Sequence, residues 1–307
     1  MHPFLFLLLA AGPPPPPAAW MPLIGEYGTP PNLTYILEQD GVLMRYSEKS
    51  GYITLNPQSV QATKDSKGLV TAVTIGDENL LRHRLPSEDG STFRITPVRP
   101  VGELREEALK ASPPAEEGEF RTYDLVELTF LNTDFHLDIR YATTNNFMST
   151  AFYSQARAFL ERPAAQALVA ALADLRAQGF GLLIYDAYRP WYVTKMFWEA
   201  VPPEDKVFVA DPEKGSKHNR GCAVDLTLYD LKTGKPVEMT GGYDEMSDRS
   251  YPNFPGGTSL QRWHRGVLRK AMEAHGFTVY EAEWWHFDYK DWAKYPILNI
   301  RFEAIGR

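Results

Sequence analysis

The alternation of apolar and polar positions divides the chain into a β-rich first part and a second part that mixes helices and strands. Residues 35–46 form two apolar runs around Asp40 and Gly41, a pattern that predicts a hairpin. Residues 69–75 and 92–98 are further β-rich runs, and no helix of useful length is indicated among them. We therefore predict a small antiparallel β module over residues 20–99.

The second part, residues 120–307, has the longer periodic segments. Apolar residues at helical spacing predict helices over 163–178 and 260–275, each ended by a glycine. A third helix is predicted over 191–200, after Pro190. The predicted strands cover residues 123–130, 136–139, 181–185, 224–229 and 277–282. This order of elements predicts an α+β domain with a mainly antiparallel central sheet and flanking helices.

Two segments without a strong periodic pattern flank the β module. Residues 100–119 are rich in Glu, Pro and Ala and predict a linker, with a short helix over 103–110. Residues 1–19 contain an apolar run at 4–11 and five consecutive prolines at 13–17. The run is typical of a signal-peptide core and is too short to cross a bilayer. We expect a periplasmic or secreted protein, with a cytoplasmic location as the alternative.

Composition narrows the classes of partner. The chain has 307 residues, a net charge of -7 and an isoelectric point near 5.6, which argues against a nucleic-acid partner. No run of Lys or Arg is suited to docking on a membrane surface. The single cysteine, Cys222, excludes an internal disulfide and a cysteine-rich zinc finger.

Two short segments carry candidate metal chemistry. Residues 216–225 contain His218 and Asp225, and residues 283–286 contain Glu283 and His286. Two imidazoles, one carboxylate ligand and one spare carboxylate are the set that a catalytic zinc site uses. Taken singly, the first segment also suits a surface loop and the second an aromatic-rich sheet edge. Together they predict a zinc hydrolase.

These segments also resemble a known family. The pattern S-x-H-x-x-G-x-A-x-D followed by E-x-W-H is similar to that of the M15 zinc peptidases, which act on peptidoglycan peptides. Segments at 140–147, 186–190 and 243–250 resemble the D-alanyl-D-alanine dipeptidase branch in the same order. The resemblance covers about residues 120–307 and does not extend to the β module.

The resemblance implies a role for the four candidate residues of the two segments. One zinc ion would be held by His218, Asp225 and His286, and Glu283 would act as general base and general acid. Cys222 lies between two implied ligands, but the family pattern has a variable small residue there. It is therefore expected to be a buried neighbour of the metal site.

Four further residues match family positions around the substrate. Arg189 matches the group that stabilises the oxyanion, although without the resemblance a salt bridge to Asp186 is the simpler interpretation. Asp244 would pair with the substrate ammonium group. Ser216 would bind the same end of the substrate or its carbonyl, and Tyr141 would help to close the pocket.

The predicted function is zinc-dependent hydrolysis of D-alanyl-D-alanine to two D-alanines. One alternative is another M15 activity, a D,D-carboxypeptidase or an L,D-endopeptidase, which acts on longer peptides and needs an open cleft. A non-catalytic cell-wall-binding protein is the alternative of another class, and the intact Glu283 argues against it. The expected partner is a small dipeptide or a peptidoglycan-derived peptide, with no nucleic acid and no stable membrane span. The oligomeric state and the role of the β module stay open.

Overall fold

The computed structural model of the chain describes residues 12–306. These residues divide into two compact units. The first runs to Leu85 and also includes Glu238–Thr240 and Pro255–His264; the second comprises Pro86–Val237, Gly241–Phe254 and the residues from Arg265 onward. The apolar run at 4–11, predicted as a signal-peptide core, lies outside the described residues. None of the described helices is both long enough and apolar enough to span a bilayer.

The first unit contains a seven-stranded sheet in which every pairing is antiparallel. Its spatial order is β4-β3-β2-β1-β7-β6-β5. The strands are β1 Gly25–Thr29, β2 Asn32–Gln39, β3 Val42–Ser47, β4 Gly51–Thr54, β5 Val60–Lys64, β6 Val70–Ile75 and β7 Glu78–His83.

The predicted hairpin is confirmed as the β2–β3 pair. Gln39 and Val42 are partners, and the two residues between them, Asp40 and Gly41, both have positive φ, 50° and 79°. Such a two-residue turn matches the right-handed twist of the strands. Apolar side chains on the inner face, including the fully buried Ile36, form the core of this unit.

A buried carboxylate in β2 binds the later segment of the first unit. Glu38 is 1% exposed, and its Oε2 accepts a hydrogen bond of 2.8 Å from the backbone N–H of Ser259. The carbonyl oxygen of Glu38 accepts a 2.6 Å bond from Arg262. Residues 255–264 are thus fixed to the β-rich part, although they lie far from it in the sequence.

The second unit is an α+β arrangement. Its strands are β8 Leu125–Glu127, β9 His136–Leu137, β10 Phe159–Glu161, β11 Phe180–Asp186, β12 Ala223–Asp230, β13 Phe277–Tyr280 and β14 Glu283–Tyr289. Among residues 12–306, the α-helices are α1 Val101–Lys110, α2 Leu128–Leu131, α3 Arg162–Arg176, α4 Trp191–Ala200 and α5 Ser259–Ala274. The first residues of α5, to His264, are counted with the first unit.

The central sheet has the order β13-β14-β12-β11-β9, and only β9 and β11 pair in parallel. The predicted mainly antiparallel sheet is therefore confirmed. Across its three middle strands, Asp186 lies opposite Asp225, and Asp225 lies opposite His286. The sheet register therefore brings chemically active residues from three distant segments to one point.

Two predicted strands are wrong in whole or in part. Residues 92–98 form no strand, because Pro97 cannot donate to a ladder and Ile95 makes only a single backbone bond, to Phe147. In the predicted strand over 123–130, β8 is short and the chain turns into α2 at Leu128. A short apolar run does not distinguish the two structures by periodicity.

Residues 86–119 belong to the second unit rather than to a separate connection. Helix α1 packs on α4, and its Leu104 and Ala108 are fully buried. The division at Leu85 also differs from the predicted module boundary at residue 99. Independent folding of the two regions stays a prediction.

Candidate active site

Three predicted ligands converge at the centre of the sheet. The ligand atoms of His218, Asp225 and His286 all lie within 4.8 Å of one another, and all three residues are buried. His218 Nε2 lies 3.1 Å from His286 Nδ1 and 3.3 Å from Asp225 Oδ1. His286 Nδ1 lies 3.2 Å from the same Asp225 oxygen. The set has the composition and spacing of a three-ligand metal site.

His218 is carried by a short 3₁₀ turn, Lys217–Arg220, whose start and end are both fixed by sequence. The Ser216 side chain accepts a 3.2 Å bond from the His218 N–H, and the Asn219 side-chain oxygen accepts a 2.7 Å bond from the Ser216 backbone N–H. This reciprocal capping satisfies the donors at the start of the turn. Gly221 ends it with φ of 62°, a conformation that suits glycine.

Each imidazole has a hydrogen-bond partner on the side that points away from the other two ligands. This partner determines which ring nitrogen faces them. His218 Nδ1 lies 2.6 Å from the carbonyl oxygen of Ala187, and His286 Nε2 lies 2.9 Å from Asp288 Oδ1. Asp288 in turn pairs with Lys217 at 3.3 Å. With the outer nitrogen of each ring directed at these partners, the inner nitrogen is the one that is available to a metal.

The donor set suits a cation. Oδ1 of Asp225 is buried and has no hydrogen-bond partner, while Oδ2 accepts a 3.1 Å bond from Tyr243. Burial alone would raise the pKa of Asp225, but the imidazoles of His218 and His286 hold it far below its usual range. An ionised carboxylate oxygen and two imidazole nitrogens match the ligands that zinc prefers.

Glu283 lies beside this set without joining it. It begins β14, and its Oε2 is 3.4 Å from His286 Nδ1. Burial raises the pKa of Glu283 to about 8; Asp225 adds to this shift and His286 opposes it. A carboxyl group whose pKa lies near neutrality is suited to accept and release a proton.

Arg189 forms the predicted salt bridge and also faces the candidate site. Its Nε donates a 2.9 Å bond to Asp186 Oδ2, and Tyr153 donates to the other oxygen of that carboxylate. Its Nη2 lies 3.5 Å from Asp225 Oδ2. The guanidinium group also stacks over the ring of Tyr141, with 5.2 Å to the centroid. The ion pair therefore fixes the direction in which the guanidinium points.

Asp244 and Tyr141 form a second polar centre. The Tyr141 hydroxyl lies 2.9 and 3.0 Å from the two carboxylate oxygens of Asp244. Burial raises the pKa of Asp244 well above its usual range, and Asp225 and Glu283 raise it further. Asp244 has φ of 58°, which is uncommon for a residue with a side chain. A cation arriving beside Asp244 would favour its ionised form.

One cavity of about 500 Å³ connects these groups. Aromatic and lysine side chains contribute much of its remaining wall, among them Trp198, Lys206 and Phe208. Cys222 is not among the lining residues; burial raises the pKa of its thiol well above the usual range. All eight residues predicted from the sequence line the cavity: Tyr141, Arg189, Ser216, His218, Asp225, Asp244, Glu283 and His286.

Two residues of the site were not identified from the sequence. Asp288 accepts from His286, and Tyr243 donates to Asp225. Asp288 follows His286 by two positions, so that the two side chains share a face of a strand, and this spacing is visible in the sequence. Tyr243 lies in an irregular segment whose path the sequence does not reveal.

Comparison with known proteins gives a consistent result. The family model described as D-ala-D-ala dipeptidase, of the M15 peptidases, matches residues 121–304. A D-alanyl-D-alanine dipeptidase of Escherichia coli (strain K12) is 38% identical over 184 residues, 60% of this chain and 94% of the relative. Proteins of the same name from Enterococcus faecalis (strain ATCC 700802 / V583) and Enterococcus faecium are 35% and 34% identical, over 54% of this chain and 90% and 93% of their own lengths. The family match confirms the predicted resemblance, and the chain belongs to the M15 family of peptidases.

Proposed function

We propose that this protein is a zinc-dependent D-alanyl-D-alanine dipeptidase. The observation that carries the proposal is that one cavity is lined by a convergent ligand set, a spare carboxylate, a guanidinium group and a separate carboxylate at Asp244. The dipeptidase names of the similar proteins support the choice of substrate.

The metal in this proposal is zinc, held by His218, Asp225 and His286. The buried Oδ1 of Asp225 and the two oriented imidazoles support this choice, because their ligand atoms lie within 4.8 Å of one another. Zinc bound by three protein ligands acts as a Lewis acid and lowers the pKa of water to about 7. Asp288 would keep the ring of His286 in the ligating orientation.

Glu283 and Arg189 would carry out the remaining steps at the scissile bond. Glu283 takes a proton from the attacking water and delivers it to the leaving amine. A general acid–base group of this kind accelerates a reaction by about 10²- to 10⁴-fold. Arg189 donates hydrogen bonds to the oxyanion that develops from the peptide carbonyl, and its ion pair with Asp186 holds it in position.

Asp244 would set the length of the substrate. The free ammonium group of a dipeptide lies one residue from the scissile bond and can pair with the Asp244 carboxylate. A peptide that is blocked or extended at its amino end carries no charge at that position. It would leave the buried carboxylate without a cation, a penalty of about 2–5 kcal/mol.

The test combines metal analysis with substrate comparison on the purified full-length protein. We expect about one zinc per chain and release of D-alanine from D-Ala-D-Ala, with little cleavage of N-acetyl-D-Ala-D-Ala. Equal cleavage of both would contradict the proposal and favour the carboxypeptidase alternative. Zinc without turnover of either substrate, or of longer muropeptides, would favour a non-catalytic wall-binding protein.

A further inference from the structure

A segment that precedes the matched family region is bonded to two segments whose residues line the cavity. Residues 86–98, which we call the strap, lie before the residues matched by the family model, 121–304, yet belong to the same compact unit. Apart from the 3₁₀ turn Pro86–Asp89, the strap has no regular structure. The strap is therefore held to the rest of the unit by individual side-chain and backbone hydrogen bonds and not by strand pairing in a sheet.

One end of the strap holds the segment that carries Asp244, residues 241–250, which we call the Asp244 turn. Ser87 Oγ donates a 3.2 Å hydrogen bond to Oε2 of Glu245. Glu88 forms a 2.6 Å ion pair with Arg249, and the two side chains are only 10% and 14% exposed. A charge-assisted bond so little exposed to solvent is less screened than a surface ion pair, and breaking it leaves a poorly solvated charge.

Within the Asp244 turn, Glu245 joins the strap to the residues on both sides of Asp244. It is 2% exposed; one oxygen accepts from the Gly242 N–H at 3.0 Å, and the other accepts from the Ser247 hydroxyl at 2.7 Å. Asp244 itself has the unfavourable positive φ given above. Such a conformation persists only where surrounding contacts enforce it, and the bond from Ser87 to Glu245 is one of these contacts.

The other end of the strap holds the segment that carries Tyr141, residues 140–149, which we call the Tyr141 loop. Arg94 donates to the carbonyl oxygens of Thr144 and Asn146, at 3.1 and 3.3 Å. The N–H of Ile95 donates a 2.9 Å bond to the carbonyl oxygen of Phe147, whose ring lines the cavity. The strap thus binds both segments whose side chains meet in the hydrogen bond between Tyr141 and Asp244.

We propose that the strap holds the Asp244 turn and the Tyr141 loop in the conformation described, and thereby positions the ammonium end of the substrate. This makes Ser87, Glu88 and Arg94 positioning residues. The inference rests on the proposed function for its substrate but not for its structural part. Its physical basis is preorganisation: segments already ordered do not lose conformational entropy when the ligand binds.

The test is a double variant, Ser87→Ala with Glu88→Gln, which removes one hydroxyl and one charge without a large change in volume. We expect faster amide hydrogen exchange over residues 241–250, unchanged zinc content and KM for D-Ala-D-Ala raised about tenfold with kcat little changed. Glu88→Gln alone should show the same changes to a smaller extent if the double variant fails to fold.

The matched control is Glu107→Gln. This substitution removes a 2.5 Å ion pair with Arg99 in the same unit. The Glu107 carboxylate is 51% exposed and does not line the cavity. We expect the substitution to leave both exchange and KM unchanged. Unchanged exchange in the strap variants would overturn the proposal, as would faster exchange with unchanged KM. If the wild type hydrolyses no D-Ala-D-Ala, the proposed function fails, and the exchange data alone decide whether the strap fixes the turn.

Discussion

The sharpest prediction concerns the charge of Asp244. We propose the substitution Asp244→Asn, because asparagine tolerates a positive φ better than other non-glycine residues and can still accept a bond from the Tyr141 hydroxyl. The shape of the pocket should therefore persist while the negative charge is lost. Alanine would change the backbone preference and the hydrogen bond together.

The magnitude follows from the burial of the group. The Asp244 carboxyl is enclosed in the cavity, so its pairing with an ammonium group would be little screened by solvent. Removing one member of such a pair costs about 2–5 kcal/mol, which corresponds to a loss in kcat/KM of roughly 30-fold to a few thousand-fold. Because the ammonium group takes no part in bond making or breaking, its pairing is made in the ground state and the transition state alike, and most of the loss should be in KM.

The assay measures D-alanine release from D-Ala-D-Ala and from N-acetyl-D-Ala-D-Ala on the wild type and on the variant, with zinc analysis of both. Asp174→Asn, which alters an exposed carboxylate of α3, is the control and should behave as the wild type. Discrimination between the two substrates should shrink in Asp244→Asn. A variant that keeps wild-type kcat/KM for the free dipeptide would refute the assignment of Asp244 to the ammonium group.

Three further predictions concern the catalytic carboxylate, the metal and a buried acid. Glu283→Gln should retain zinc and lose about 10²- to 10⁴-fold in kcat; loss of zinc, measured by metal analysis, would make Glu283 a ligand instead. Dialysis against a chelator should lower the melting temperature measured by calorimetry, and zinc should restore it, because the ion binds the folded chain alone; an unchanged melting temperature would contradict a resident metal. Burial raises the pKa of Glu161 to about 7, so the folded state binds more protons than the unfolded state between about pH 4.5 and 7, and stability should fall as the pH rises through this range. Glu161→Gln should flatten this dependence and raise the free energy of unfolding at pH 8 by up to about 3 kcal/mol in urea titrations; an unchanged pH dependence would contradict the buried, protonated acid.

The elements that could be predicted are those whose signal is local. Helix α4 was predicted over its observed range, and the predicted range of α3 differs by two residues or fewer at each end, because proline and glycine mark their boundaries. The hairpin at Asp40 and Gly41 could also be predicted, because these two residues mark its turn. The short runs at 92–98 and 123–130 failed because their structure depends on tertiary partners, which periodicity does not contain.

Functional residues divide in the same way, into those with a local sequence signal and those that depend on tertiary contacts. The motif around His218 and the segment from Glu283 to His286 each place two functional groups within a few residues, so their chemistry could be predicted from spacing. Glu161, which is not among the residues that line the cavity, could not be identified in this way: its side chain is fully buried, and Oε1 has no hydrogen-bond partner. Nor could the bond from Ser87 to Glu245, which joins residues 158 positions apart.

The irregular segment after β12 links the two ends of the site. Tyr243 donates to Asp225, a proposed zinc ligand, and the next residue, Asp244, is the proposed ammonium acceptor. Because adjacent residues contact the metal end and the substrate end, the distance between these ends is set by a single short piece of backbone. A conformational change in this segment would therefore disturb the metal ligand and the ammonium site together. Under the proposed function, this arrangement would favour one substrate length, that of a dipeptide whose ammonium group reaches Asp244.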